Sequence, residues 1–171
     1  MYAKTHMLMG GVVGYLISPT WLGVLGGIGS ALISDIDEPK SFIGRRVFLI
    51  SIPLNWTMKH RTVTHSLFFS ILFSCLFVIS ALILSIFTDA TPIFTLSYVV
   101  FGGILSHILG DMVTGRVSLL WPLYRKKIGI KVPFWLYRVI DMLFRLALVY
   151  LIINNLIFGD VINNLLKNKL F

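Results

Sequence analysis

Apolar residues along the chain fall into long blocks, and the lengths of those blocks predict the elements. The first block covers residues 7–33 and is broken once, by Ser18-Pro19-Thr20. Pro19 lacks a backbone donor and starts a helix well. The block therefore reads either as one kinked span or as a hairpin of two half-depth helices, which is tolerated where protein buries the turn. Residues 34–64 are polar and basic around one short apolar piece, 47–56. That piece is too short to span, and its Trp56 suits the interface.

Residues 65–87 carry no charge after His65, which predicts a transmembrane helix. A short loop at 89–92 holds no basic residue, and 93–109 returns across the membrane. These two spans form a tight hairpin, so their far ends, His65 and 107–111, meet on one side. A basic loop, 114–131, with Trp121 and Tyr124 as anchors, leads to the last apolar segment, 132–158. Arg138, Asp141 and Arg145 share a helix face there at spacings of three and four, and can pair. Asp141 reads either as part of a self-neutralised cluster or as an acid facing a site. The predicted fold is all-α: one membrane-embedded domain over residues 1–171, a polytopic helical bundle with an N-terminal hairpin.

Composition supports the membrane reading. Of 171 residues, 57% are hydrophobic and only 13% charged, about half the charge of a soluble domain. The formal net charge of +8 admits nucleic acid as a partner, but its placement argues otherwise. Lys40, Arg45, Arg46, Lys59 and Arg61 precede the long span, and Arg116, Arg125, Lys126, Lys127 and Lys131 follow the next one. Basic loops on alternate sides of spans follow the positive-inside rule and suit anionic lipid. Cys75 is the single cysteine and reads as a core thiol, so no disulfide framework exists. The N-terminal stretch has a lysine and a short apolar run but no clean cleavage site, and reads as retained. Gly10, Gly11 and Gly14 suit close helix packing.

The chemistry gathers in a few segments. His6 opens the first helix, and Ser34-Asp35-Ile36-Asp37-Glu38-Pro39 ends the second half of that block. His60-Arg61-Thr62-Val63-Thr64-His65-Ser66 opens the long span, and His107-Ile108-Leu109-Gly110-Asp111 closes the next. Each has a plain reading alone: an interfacial polar residue, an acidic helix end before a proline stop, solvated loop histidines, a hydrogen-bonded pair one turn apart. Together they hold all four histidines, and Asp35, Asp37, Glu38 and Asp111 among seven acids. Polar groups at membrane depth are costly and need a partner or a task. Imidazole and carboxylate suit zinc, manganese or iron, and two-metal sites suit phosphoryl chemistry. Arg61 and Lys59 are placed to hold a phosphate.

Topology decides between the two readings of the first block. One straight span would put His6 and Asp35 on opposite faces, about 40 Å apart at helical rise. A hairpin returns both to the face of His65 and Asp111. The hairpin is therefore the expectation. The basic loops lie on the same face, which places the site at the cytoplasmic surface and residues 163–171 on the far side.

The segments TH at 5–6, SDIDEP at 34–39, HRTVTHS at 60–66 and HILGDMVT at 107–114 resemble the YdjM-like family. Its members are described as inner-membrane, predicted metal-dependent hydrolases, some under LexA control. The resemblance covers roughly residues 1–125, with the HRxxTHS element its most specific part. That family is remotely similar to zinc-dependent phospholipase C, whose N-terminal tryptophan ligand has no evident counterpart here. The resemblance implies a helical metallohydrolase of phosphoesters. It implies His6, Asp35, His60, His65, His107 and Asp111 as ligands to one or two divalent ions, zinc first, with manganese or iron as alternatives. It implies Asp37 as a ligand or base, and Arg61 and Thr64 as supporting residues.

The expected activity is hydrolysis of a phosphoester in a lipid or lipid-linked substrate at the cytoplasmic face of the inner membrane, with nucleic acid disfavoured. The alternatives are a metal or ion transporter and a non-catalytic membrane stress protein whose His/Asp cluster is structural. The hairpin is directly testable in a Cys75→Ala background. Cysteines introduced as Tyr2→Cys and Lys40→Cys are expected to react with an impermeant maleimide from the same, cytoplasmic side. Labelling from opposite sides would exclude a site containing both His6 and Asp35.

Overall fold

The computed structural model describes residues 1–58 and 60–167, and every regular element among them is helical. Lys59 and residues 168–171 lie outside the described residues, as does the phosphate-holding role expected of Lys59. Helix α1 spans Ala3–Ile17 and α2 spans Trp21–Ile33, separated at the Ser18-Pro19-Thr20 break. The Thr20 side chain accepts from the backbone N–H of Gly23 at 3.1 Å and caps α2. At helical rise these helices are about 22 and 20 Å long, each short of the roughly 30 Å hydrocarbon thickness. They fold back on each other as the hairpin expected from topology.

Glycine lets the two backbones touch. A side-chain carbon placed on Gly10 would strike the Gly27 carbonyl, and one on Gly14 would strike Gly23. The pairing of 10 with 27 and 14 with 23 shows that the helices run antiparallel. Small residues at such contacts are the usual means of close helix approach in a lipid setting. Gly11, grouped with Gly10 and Gly14 by sequence, instead faces the Ile28 side chain.

Helix α3, Phe48–Thr57, is the short apolar piece between the basic residues. Its Phe48, Leu49, Ile50 and Trp56 are exposed, as suits a helix lying at an interface. Helix α4, Leu67–Leu84, is capped by Ser66, whose hydroxyl accepts from the N–H of Phe69 at 3.1 Å. Helix α5 spans Thr91–Thr114, further at both ends than the apolar run alone indicated. Both α4 and α5 are long and apolar enough to cross a membrane, at about 27 and 36 Å by helical rise. Most of the α4 surface faces outward, and α5 is the central helix, packing on α1, α2 and α4. Val100, Ile104 and Ile108 of α5 form the apolar core with Val117, against Phe69, Phe73 and Phe77 of α4.

Helix α6, Phe134–Lys167, packs on α1. Two sequence expectations change in α4 and α6. Cys75 is exposed on α4 and is not a core thiol, because α4 presents most of its circumference outward. Arg138 does not join Asp141; its guanidinium lies over the Phe134 ring at 4.5 Å, a cation–π contact that competes with the ion pair. Asp141 pairs with Arg145 at 3.0 Å and is fully buried. Its other oxygen accepts from the Tyr2 N–H and the Thr5 hydroxyl, both at 2.8 Å. Asp141 thus keeps the Arg145 half of the self-neutralised cluster and is in addition an anchor from α6 to the start of α1, which neither sequence reading contained.

The glycine contact predicts a contrast within one helix. Gly27→Leu pushes against the Gly10 backbone and should lose about 1–3 kcal/mol to overpacking. Gly29 has open space around it, so Gly29→Leu should unfold within about 0.5 kcal/mol of the native chain. Thermal unfolding in detergent, followed by circular dichroism, compares the two.

Candidate metal centre

One end of the bundle collects every histidine. His6 sits in the first turns of α1, His60 and His65 in the turn before α4, and His107 and Asp111 near the end of α5. Asp35 and Asp37 lie on the single 3-10 turn Ser34–Asp37 that follows α2. On a threefold spiral, positions two apart point about 120° away from each other. Asp35 accordingly turns toward His65 and His107, and Asp37 toward His60. Ser41 holds the turn in place, its hydroxyl donating to the Asp35 carbonyl at 2.9 Å and accepting from the Gly44 N–H at 2.8 Å.

The HRTVTHS segment bends at Arg61, which adopts a left-handed backbone with φ of 62°. Such a conformation is uncommon outside glycine and clusters at functional sites. The bend separates three side chains. His60 reaches Asp37, Arg61 reaches Asp111, and His65 enters the centre. The 115–130 loop braces the segment: the Ser118 N–H donates to the Arg61 carbonyl at 3.2 Å, and Leu67 N–H to the Leu119 carbonyl at 2.9 Å.

The ligating atoms converge. Nε2 of His65 lies 3.3 Å from Nε2 of His107, 3.5 Å from Asp35 Oδ1 and 3.5 Å from Asp111 Oδ2. His107 Nε2 is also 3.5 Å from Asp35 Oδ1, and His6 Nε2 is 3.3 Å from Asp111 Oδ1. The His6 and His107 rings stack at 3.7 Å. Two sets of three have donor atoms close enough to share an ion: His6, His107 and Asp111, and Asp35, His60 and His65. His6, His65, His107 and Asp111 are buried, while Asp35 and His60 are partly exposed.

The surroundings orient these rings. Asp37, wholly buried, contacts His60 Nδ1 at 3.0 Å, and its carbonyl accepts from the Asn55 amide at 3.0 Å. Thr64 Oγ1 lies 3.1 Å from His65 Nδ1. With Nδ1–H donated to these oxygens, Nε2 of each ring keeps its lone pair for a ligand. Nδ1 of His6 and of His107 are buried with no hydrogen-bond partner among the described residues. Arg61 Nε is 2.9 Å from Asp111 Oδ2. The Met1 amine also contacts Asp111 Oδ1 and lies 3.3 Å from Thr114 Oγ1.

Charge follows the geometry. Burial alone would raise the Asp35 carboxyl, but the facing imidazoles of His107 and His65 outweigh it and hold it well below the usual carboxylate range. Burial lowers the His65 imidazole, yet Asp111 and Asp35 overcome this and raise it. A cavity of about 690 Å³ opens beside the cluster, with Asp35, His60, Arg61 and Asp111 in its lining. Lys4, Lys40, Arg45 and Arg145 line the rest with other groups. Asp37 does not face this cavity. It stands behind His60.

The structure thus brings His6, Asp35, His60, His65, His107, Asp111, Arg61 and Thr64 into one neighbourhood, with Asp37 one side chain removed. The cavity cations Lys4, Lys40, Arg45 and Arg145 were not assigned to the site by sequence. Lone lysines and arginines have no motif spacing, and only the fold shows which of them face inward. The mixed imidazole and carboxylate donor set fits zinc, manganese or iron.

Comparison with known proteins agrees with the membrane reading. Residues 1–165 match the family described as YdjM inner membrane protein. The chain is 38% identical over 120 residues to Inner membrane protein YdjM of Escherichia coli (strain K12), covering 66% of this chain and 56% of that protein. It matches the Shigella flexneri protein of the same name to the same extent. The chain therefore spans little more than half the length of these two relatives. It is also 31% identical over 144 residues to Uncharacterized protein YvsG of Bacillus subtilis (strain 168), covering 80% and 81% of the two chains. No solved structure matches the chain. On the extent of the family match, together with two helices able to cross a membrane, this chain belongs to the YdjM inner membrane protein family.

Proposed function

We propose that the chain is a membrane-bound, metal-dependent hydrolase that cleaves a phosphoester in a lipid or lipid-linked substrate at the cytoplasmic boundary of the membrane. One observation carries this reading: imidazole nitrogens and carboxylate oxygens converge beside a cavity whose lining holds five cations, Lys4, Lys40, Arg45, Arg61 and Arg145, against the three acids Asp35, Glu38 and Asp111. His6, His107 and Asp111 would hold one divalent ion, and Asp35, His60 and His65 a second or a shared one. When bound, such an ion supplies Lewis-acid activation of water and neutralises phosphoryl oxygens.

The chain's own residues supply the rest. Arg61 lines the cavity and offers a planar fork suited to phosphate oxygens. Lys40 and Arg45 add positive charge at the mouth and favour an anionic headgroup. Thr64 and Asp37 orient His65 and His60. Asp37 is a positioning residue in this reading, because His60 stands between it and the cavity. The site lies at helix ends, at headgroup depth, where a lipid substrate arrives by diffusion in the membrane plane. A transporter path would favour groups near the midplane. Basic residues at 40, 45, 46 and 61 lie on the same end, which supports the cytoplasmic orientation.

Metal content of detergent-purified protein, measured by mass spectrometry, is the first test. One or two zinc, manganese or iron ions per chain are expected, with His65→Ala and Asp111→Ala both losing them. Absence of bound metal after reconstitution with these ions overturns the reading. Given a loaded protein, release of phosphate or a phosphorylated headgroup from phospholipid vesicles is expected, and failure across phospholipids and lipid phosphates overturns the hydrolase assignment. Asp37→Asn tests positioning against base catalysis. A residue that orients a ligand should cost about 10–100-fold in metal affinity. A general base would leave affinity unchanged and lower turnover by about 10²–10⁴-fold.

A further inference from the structure

A second cavity begins where the first one ends. It is a groove of about 660 Å³ between α1, α2 and α6, lined mainly by apolar side chains. Leu8, Val12 and Tyr15 line it from α1, Val24 and Ile28 from α2, and Ile152 from α6. Lys4, Leu8, Val12 and Tyr15 fall at helical spacing on one stripe of α1. At Gly11 the side chain is missing, and the Ile28 side chain stands 3.1 Å from where a Cβ would lie, so Ile28 forms the floor there. From Lys4 to Leu16 the groove follows α1 for about 18 Å at helical rise.

Lys4 lines both cavities. It is exposed and makes no ion pair among the described residues. An exposed ammonium without an ion pair among the described residues, between a cavity with an excess of cations and an apolar groove, matches an amphiphile with an anionic head. An apolar groove beside a phosphate-suited cavity also separates this face from the exposed surface of α4, which has no charged group along it.

We propose that the α1–α2–α6 groove is the chain subsite of the enzyme: the hydrocarbon tail of a phosphorylated lipid lies along α1 while its phosphate sits in the cavity beside the histidine cluster, with Lys4 at the junction. The inference rests on the phosphoesterase reading for the identity of the headgroup. It needs no turnover to be tested. The phosphate end meets Lys4 and Arg61, and the tail leaves water by covering Leu8, Val12 and Ile28. Selectivity then follows tail length as well as headgroup charge.

The experiment is photo-cross-linking of the full chain in phosphatidylcholine nanodiscs, using phosphatidic acid with a diazirine in its acyl chain. Cross-links are expected on residues 7–16 of α1, on Val24 and Ile28, and on Ile152. A long-chain alkyl phosphate should compete them down about tenfold, and the fatty alcohol of the same length should not. Val12→Trp should lower the Ile28 and Ile152 labels about tenfold while labels on Phe68, Ile71 and Leu76 of α4 stay constant. Lys4→Glu should abolish the preference for phosphate over alcohol. Should Val12→Trp not fold, the competition in the unmodified chain still decides. Equal labelling of α4 and the groove without competition means annular lipid only and overturns the proposal. Equal competition by the alcohol also overturns it. A chain that shows the cross-links but hydrolyses nothing defeats the enzymatic reading and leaves the groove assignment standing.

Discussion

Backbone contact between α1 and α2 is the constraint on which the rest of the structure depends. Without side chains at Gly10, Gly14, Gly23 and Gly27 the two helices lie against each other along their length. That closeness sends the chain back to the end where it started. His6 at the head of α1 and Asp35 just past α2 consequently meet at His107 of α5, with Asp111 beside His6 and His65 beside Asp35. A side chain in that contact would move Asp35 relative to His65 and His107, whose ligating atoms are separated by only 3.3–3.5 Å.

The site end of the bundle is arranged around concentrated charge. Asp111 faces His6, His65, Arg61 and the Met1 amine, and Asp35 faces His65 and His107. Such a group cannot sit in hydrocarbon unpaired. Its members come from four separate stretches, and each stretch is fixed by something of its own. Asp141 anchors the start of α1, Ser41 holds the 3-10 turn, Ser118 binds the Arg61 bend, and the core of Val100, Ile104 and Ile108 sets α5. Orientation of the rings is delegated to Asp37 and Thr64, which face away from the cavity or stand behind the ligands.

The cavity beside the histidine cluster and the apolar groove occupy adjoining spaces. The two spaces meet at Lys4, the first residue of the α1 stripe that continues through Leu8 and Val12 to Tyr15. A protein working on a lipid at headgroup depth needs both a polar and an apolar compartment, since neither end of an amphiphile tolerates the other's surroundings.

The sequence by itself determined the helical class, the positions of the α4 and α5 spans, and the residues of the polar cluster. Those follow from block length and from the cost of placing histidine and aspartate in apolar surroundings, which are local properties of the chain. The hairpin was legible because only that topology lets His6 and Asp35 reach His65 and Asp111. Tertiary structure alone decided the finer assignments. Asp141 found partners in Tyr2 and Thr5, more than a hundred positions away, which i,i+4 spacing cannot show. Arg138 turned to Phe134, Cys75 turned outward, and Asp37 fell behind His60. Which lysines and arginines line the cavity was likewise settled by packing, because a lone charge carries no period, and its neighbours are chosen by how the helices close against each other.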